Sequence, residues 1–244
     1  MSRVRYERID AARGAMLVSM VLYHGLWDLV YLAGWNLSWF TGLPGFLWQQ
    51  SIAWSFILIS GFSASLGGTM ARSFQLLGWS AVISAVTSFF FAGEAVYFGI
   101  LFLLGTCGCL GRAGRSRLGK ISPPWGGALF FLLFLFFRDV PFHSAGLGPW
   151  EMALPEEWYT FWAGAAFGFP SGDFHSLDYF PLLPWGFLYL TGYMAGRGMT
   201  EEAMARYFTG RPSALGKAGR HSLLVYLLHQ PVLIGLFQWG GMLS

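Results

Sequence analysis

The chain has 244 residues, of which 55% are hydrophobic and 19% aromatic but only 11% charged, well under the roughly 25% charged of soluble domains. That balance excludes an ordinary soluble enzyme, and a net charge of +3 carried by basic residues scattered through short loops excludes a nucleic-acid stripe. Several apolar runs approach the ~20 residues a helix needs to cross the hydrocarbon core, and strand-like alternation is absent. The expectation is an all-α, polytopic helical membrane protein forming one domain over 1–244.

In chain order, the apolar runs predict about seven transmembrane helices, at 11–33, 46–66, 73–91, 96–110, 122–137, 180–195 and 222–239. Arg3, Arg5 and Arg8 precede the first run in the manner of a signal peptide. The run is too long for one and continues past His24 and Asp28, so it reads as a retained first helix. Cys107 and Cys109 lie one residue apart in an apolar run and read as free thiols. No spacing of histidine, cysteine and carboxylate suggests a metal site, so neither a metal nor a haem is expected. Between 138 and 179 lies a long connection in which 157–169, rich in aromatic residues, reads as a short interfacial or re-entrant helix. Its Trp150, Trp158, Tyr159, Phe161 and Trp162 suit either stacking on a sugar ring or an aromatic belt at the interface.

Charge gives the orientation. With seven crossings and a cytoplasmic N-terminus, Arg138 is the one basic residue of the 15 on the outer side. Glu94, Asp139, Glu151, Glu156, Glu157, Asp173 and Asp178 gather on that outer side. The positive-inside rule therefore supports the count and an outward C-terminus; the expected location is the cell (inner or plasma) membrane.

The first helix carries the chemistry. At about 100° per residue, Arg13 lies about 20° from His24 around the axis, and Asp10 and Asp28 lie about 40° to the other side. Ionisable groups on one face at membrane depth point to a functional site. His24 and Asp28, at i and i+4, form a base with a carboxylate able to orient it. In the last helix His229 precedes Pro231, whose ring should kink the helix, while Gln230 faces another side and is read as a bond across the bundle. Asp178, just before the sixth span, either orients an acceptor or caps that helix. His143, His175 and His221 sit near loops and are read as solvated or capping.

"IDAARG" followed by "LYH" gives the R-x10-H pattern, Arg13 to His24, of the transmembrane acyltransferase superfamily. "FGILFLLGT" at 98–106, "SLDYFPLLPW" at 176–185 and "GRHSLLVYLLHQPVL" at 219–233 resemble bacterial members of the heparan-alpha-glucosaminide N-acetyltransferase catalytic-domain family. The resemblance implies acetyl transfer from cytoplasmic acetyl-CoA to a hydroxyl or amine of a glycan or amino-sugar acceptor, with a histidine at the centre. The chain is shorter than the animal enzyme, and 34–45 lacks the histidine of that enzyme's loop, so the role falls to His24 by the superfamily pattern. The CoA phosphates are then expected near Arg13, with Arg8, Arg211 and Arg220 as further partners, and His229 and Asp178 join His24 and Asp28 as catalytic candidates. A homo-oligomer is compatible with this reading. Two other classes would use the same stripe: a haem electron-transfer protein ligated by His24 and His229, and a proton-coupled transporter.

Overall fold

The computed structural model describes residues 5–90 and 92–242; the expectations that involve Arg3 and Phe91 lie outside them. Eleven α-helices are present among the described residues: α1 (Glu7–Tyr31), α2 (Ser38–Thr41), α3 (Leu43–Ser65), α4 (Met70–Phe90), α5 (Ile100–Ala113), α6 (Arg115–Leu118), α7 (Pro123–Phe136), α8 (Leu182–Arg197), α9 (Glu201–Phe208), α10 (Ala214–Arg220) and α11 (Ser222–Trp239). Each of the seven expected spans meets one of these helices. Four stretches are both long and apolar enough to cross a bilayer: Glu7–Tyr31, Met70–Phe90, Pro123–Phe142 and Ser222–Trp239. α5, with 14 residues, covers about 21 Å at ~1.5 Å per residue, less than the ~30 Å core. α8 has 16 residues, and its Leu183 is extended (φ −101°, ψ 124°), so the regular helix is shorter still.

The chain divides into two compact units, Met1–Ile59 with Met199–Ser244, and Ser60–Gly198. In the first, α1 packs on α10 and α11. Glycine decides the first of these crossings: a Cβ on Gly14 would run into the carbonyl of Leu215, and one on Gly219 into the carbonyl of Asp10. Two backbones in direct contact are the arrangement small residues permit between membrane helices. Ser213 opens α10 by accepting from the Gly216 amide at 3.0 Å, a standard N-cap. Further along α1, Trp48 Nε1 donates to Ser19 Oγ at 2.8 Å, and Tyr23, Phe40 and Trp48 form an aromatic cluster.

In the second unit α4 packs on α5, and α8 packs on both α5 and α7. Phe187 stacks on Phe130 and Phe137, and Trp185 meets Phe134, which is fully buried. Arg197 ends α8 by donating to the carbonyls of Leu118 (2.5 Å) and Gly119 (3.0 Å).

The connection after α7 differs from its expected form. It holds a β-hairpin, β1 (Ser144–Leu147) against β2 (Trp150–Ala153), antiparallel with Leu147 opposite Trp150. The turn uses Gly148 at φ +57°, a conformation glycine adopts without steric cost. In place of one interfacial helix, Glu156–Tyr159 and Trp162–Phe167 form separate 3-10 turns. Thr160 and Phe161 stand between them, and Phe161 is extended at φ −108°, ψ 121°. Trp150 (80%), Phe161 (70%) and Trp158 (53%) are exposed, as an interfacial belt requires.

Apolar side chains also cover the outside of the spans. Leu224, Leu228, Val232 and Leu236 repeat every fourth residue along α11, each at least half exposed, which in a folded chain of this composition marks a face meant for lipid. Gly14→Ala is expected to destabilise the first unit by about 3 kcal/mol, the upper end of the overpacking range, because the obstructing atoms are backbone. Thermal unfolding in detergent measures this, and an unchanged midpoint would contradict the close crossing.

Candidate functional site

The polar stripe of α1 and the last helix meet in the first unit. The His24 and His229 rings lie 4.9 Å apart, centre to centre, inclined at 58°, and Tyr23 and Tyr226 each border one of the rings. His229 Nδ1 lies 2.6 Å from the Tyr226 carbonyl oxygen. A carbonyl only accepts, so Nδ1 carries a proton, and in the neutral ring Nε2 keeps its lone pair. Pro231 stands inside α11 and has no N–H to give the carbonyl one turn before it.

Asp28, one turn beyond His24, is fully buried, and Gln230 Nε2 donates to its Oδ1 at 2.7 Å. Gln230 therefore does make the interhelical bond read from the sequence, and its partner is the carboxylate of the stripe itself. The sequence offered one signal for this: an amide beside a histidine in an otherwise apolar run.

At the start of α1 the charges are densely paired. Arg13 Nη1 donates to Asp10 Oδ1 at 3.0 Å and to the Gly219 carbonyl at 3.4 Å. Arg220 pairs with Glu7 at 3.1 Å, and Arg5 reaches both Asp10 (3.3 Å) and Glu7 (3.6 Å). Arg8 donates to the Tyr207 carbonyl at 3.2 Å, and Arg211 is exposed. Of the four arginines proposed for phosphate, Arg13 and Arg220 thus also hold α1 against α10. Glu7 and Asp10, which the sequence reading left aside as partners of these arginines, sit in the first turn of α1, where carboxylates are favoured by the helix dipole.

Asp178 belongs to the second unit. Its Oδ2 accepts from the Ile100 amide at 3.0 Å, so it caps α5 from a distant part of the chain. Ser176 Oγ accepts from the Tyr97 amide at 2.9 Å, and the Phe180 amide donates to the Phe98 carbonyl at 2.9 Å. Phe98 is held at φ +52°, a left-handed conformation costing about 1–2 kcal/mol for a non-glycine residue. The segments at 98–106 and 176–185 are thus two halves of one clasp. A Cβ on Gly99 would meet the Asp178 carboxylate.

A comparison with protein families matches residues 5–231 to heparan-alpha-glucosaminide N-acetyltransferase, catalytic. The chain belongs to this family. Membership makes it an acetyltransferase by class, and its four membrane-length apolar helices make it a membrane protein. The family match runs through both compact units and takes in the histidine pair, the Asp28–Gln230 bond and the Asp178 clasp. No characterised protein and no solved structure gives a significant match.

Replacing Asp178 by alanine is expected to cost about 1 kcal/mol, the usual worth of a lost N-cap, with asparagine closer to the parent; unfolding midpoints of the two variants test the assignment. Nearby, Tyr159 donates to the Val140 carbonyl at 2.5 Å and Tyr179 to the Ala165 carbonyl at 2.7 Å. Burial pushes both phenols up, with Tyr159 adding to the effect on Tyr179. An unfolded phenol ionises near pH 10, so this stabilisation is complete below about pH 10 and is lost as pH rises through the raised folded values. Tryptophan fluorescence in an alkaline titration should show the connection between α7 and α8 loosening above that pH, with a shallower dependence in Tyr159→Phe.

Proposed function

We propose that the chain transfers an acetyl group from cytoplasmic acetyl-CoA to a hydroxyl or amine of a glycan or amino-sugar acceptor at the opposite face, with His24 as the reacting imidazole. The proposed form is a single domain over 1–244 with seven crossings, in the cell membrane, its N-terminus cytoplasmic and its C-terminus outside. Contacts within the first unit support the odd number of crossings. α1 and α11 run in the same direction, with Leu17 near Val225, His24 beside His229, and Gly25 beside Leu233.

The observation that carries the reading is the imidazole pair on two apolar helices beside a buried carboxylate. In direct transfer the acceptor O–H or N–H gives its proton to His24, the acceptor atom attacks the thioester carbon, and the C–S bond breaks. The proton then goes to the departing CoA thiolate. In the alternative route His24 attacks first and holds the acetyl group, which then passes to the acceptor. Both balance, and release of one equivalent of CoA before acceptor is added distinguishes the second. Asp28 acts as the carboxylate of the site, His229 as its second imidazole and Asp178 as a candidate on the acceptor side. Arg13, Arg8, Arg211 and Arg220 are the candidates for the CoA phosphates, because guanidinium presents forked donors to phosphate oxygens. The aromatic connection supports either a belt or an acceptor platform. Assembly as a homo-oligomer is part of the proposal only as compatible with it.

The ring separation argues against a haem protein. Two axial imidazoles stand on opposite faces of a macrocycle with the iron between them, whereas these rings are 4.9 Å apart. His24→Ala in purified, folded protein is expected to abolish acceptor-dependent CoA release from acetyl-CoA. Substantial residual turnover would defeat the assignment.

A further inference from the structure

The geometry points to Gln230 as a positioning residue: its hydrogen bond to Asp28 fixes the register of α11 on α1 and thereby sets the His24–His229 ring pair. The inference rests on the reading of His24 as the reacting group, and it adds to that reading a residue with no chemistry of its own.

Two rungs join the helices at this level. One is the ring contact between His24 and His229; the other is the 2.7 Å bond from Gln230 Nε2 to Asp28 Oδ1. Gln230 follows His229 directly in α11, and Asp28 stands one turn after His24 in α1, so the rungs cannot slide independently. The neighbouring contacts are apolar: a Cβ on Gly25 would lie 3.6 Å from Leu233 and 3.8 Å from Phe237, and Leu17 and Val21 share a groove with Val225. Contacts of this kind have little directional preference. Between helices surrounded by lipid they lack the hydrophobic drive that water supplies, and polar bonds take a larger part in choosing the register.

Gln230 is suited to the task. Its amide donates to a carboxylate without adding a second charge at a depth where charge is costly, and Asp28 is fully buried. Glutamate at 230 would set two carboxylates against each other, and alanine would remove the donor. His229 is already pinned to its own helix by the Tyr226 carbonyl. A shift of α11 on α1 therefore carries the ring with it, and a misplacement of about 1 Å in a reacting geometry costs on the order of 10²-fold in rate.

The experiment compares the full-length protein with Gln230→Ala and with the exchanged pair Asp28→Asn/Gln230→Glu, in which amide and carboxylate trade helices. Steady-state acetyl transfer from acetyl-CoA is measured beside the imidazole 15N resonances of the five histidines. The expected result for Gln230→Ala is a fall in kcat of about 10²-fold with KM for acetyl-CoA within about twofold. Two resonances, those of His24 and His229, should move while His143, His175 and His221 stay. The exchanged pair alters the carboxylate assigned to the site, so it is read by the resonances alone: those of His24 and His229 should return toward their parental positions, and this supplies the decision if the alanine variant does not fold. Unmoved His24 and His229 resonances or an unchanged kcat in Gln230→Ala, or an exchanged pair whose resonances lie no nearer the parent's than those of Gln230→Glu alone, would each overturn the inference. If the parent protein transfers no acetyl group, the functional reading falls, and the resonances alone then decide whether Gln230 positions the pair.

Discussion

A carboxylate inside a bilayer has to be answered by another part of the protein, and the arrangement of the first unit follows from how Asp28 is answered. Its partner is an amide on the last helix, more than two hundred residues away. That bond brings together the two ends of the chain and, with them, the two histidines lying deepest in apolar sequence. The imidazoles are neighbours because their helices are joined one step further along.

The N-terminal end of α1 is secured by a different device, against α10. There Gly14 and Gly219 allow backbone contact, and Arg13, Arg220, Glu7 and Asp10 surround it with ion pairs. Exposed ion pairs contribute little, but these side chains are only 12–21% exposed, and the close crossing between them leaves little freedom to separate. α1 is thus fixed at both ends by polar contacts, while its middle is packed by apolar side chains.

Much of this was legible beforehand. Periodicity and length marked every long helix to within a few residues, since an unbroken apolar run has few ways to satisfy its backbone in lipid except as a helix. The stripe of Asp10, Arg13, His24 and Asp28 followed from the helical repeat alone. What the sequence could not supply was partnership. Asp178 reads in the sequence either as orienting an acceptor or as a cap for the helix it precedes; the cap it makes is on α5, because capping by a remote carboxylate leaves no local signature. Gln230 was placed on the correct kind of bond without a partner, since the facing helix is unknowable from one strand of text. The hairpin at 144–153 has no sequence signature, because two four-residue strands carry too little alternation to register.

One dimension of α11 has a wider effect. Its 18 residues rise about 27 Å, a few ångströms less than the ~30 Å hydrocarbon layer, and Trp239 at its end is 89% exposed, where indole favours the headgroup level. A span at the short end of the range is matched by local thinning of the bilayer, by flanking side chains that reach the interface or by association with other helices. The 25-residue α1 packed against α11 has length to spare, so any mismatch with the bilayer falls on the helix that bears His229.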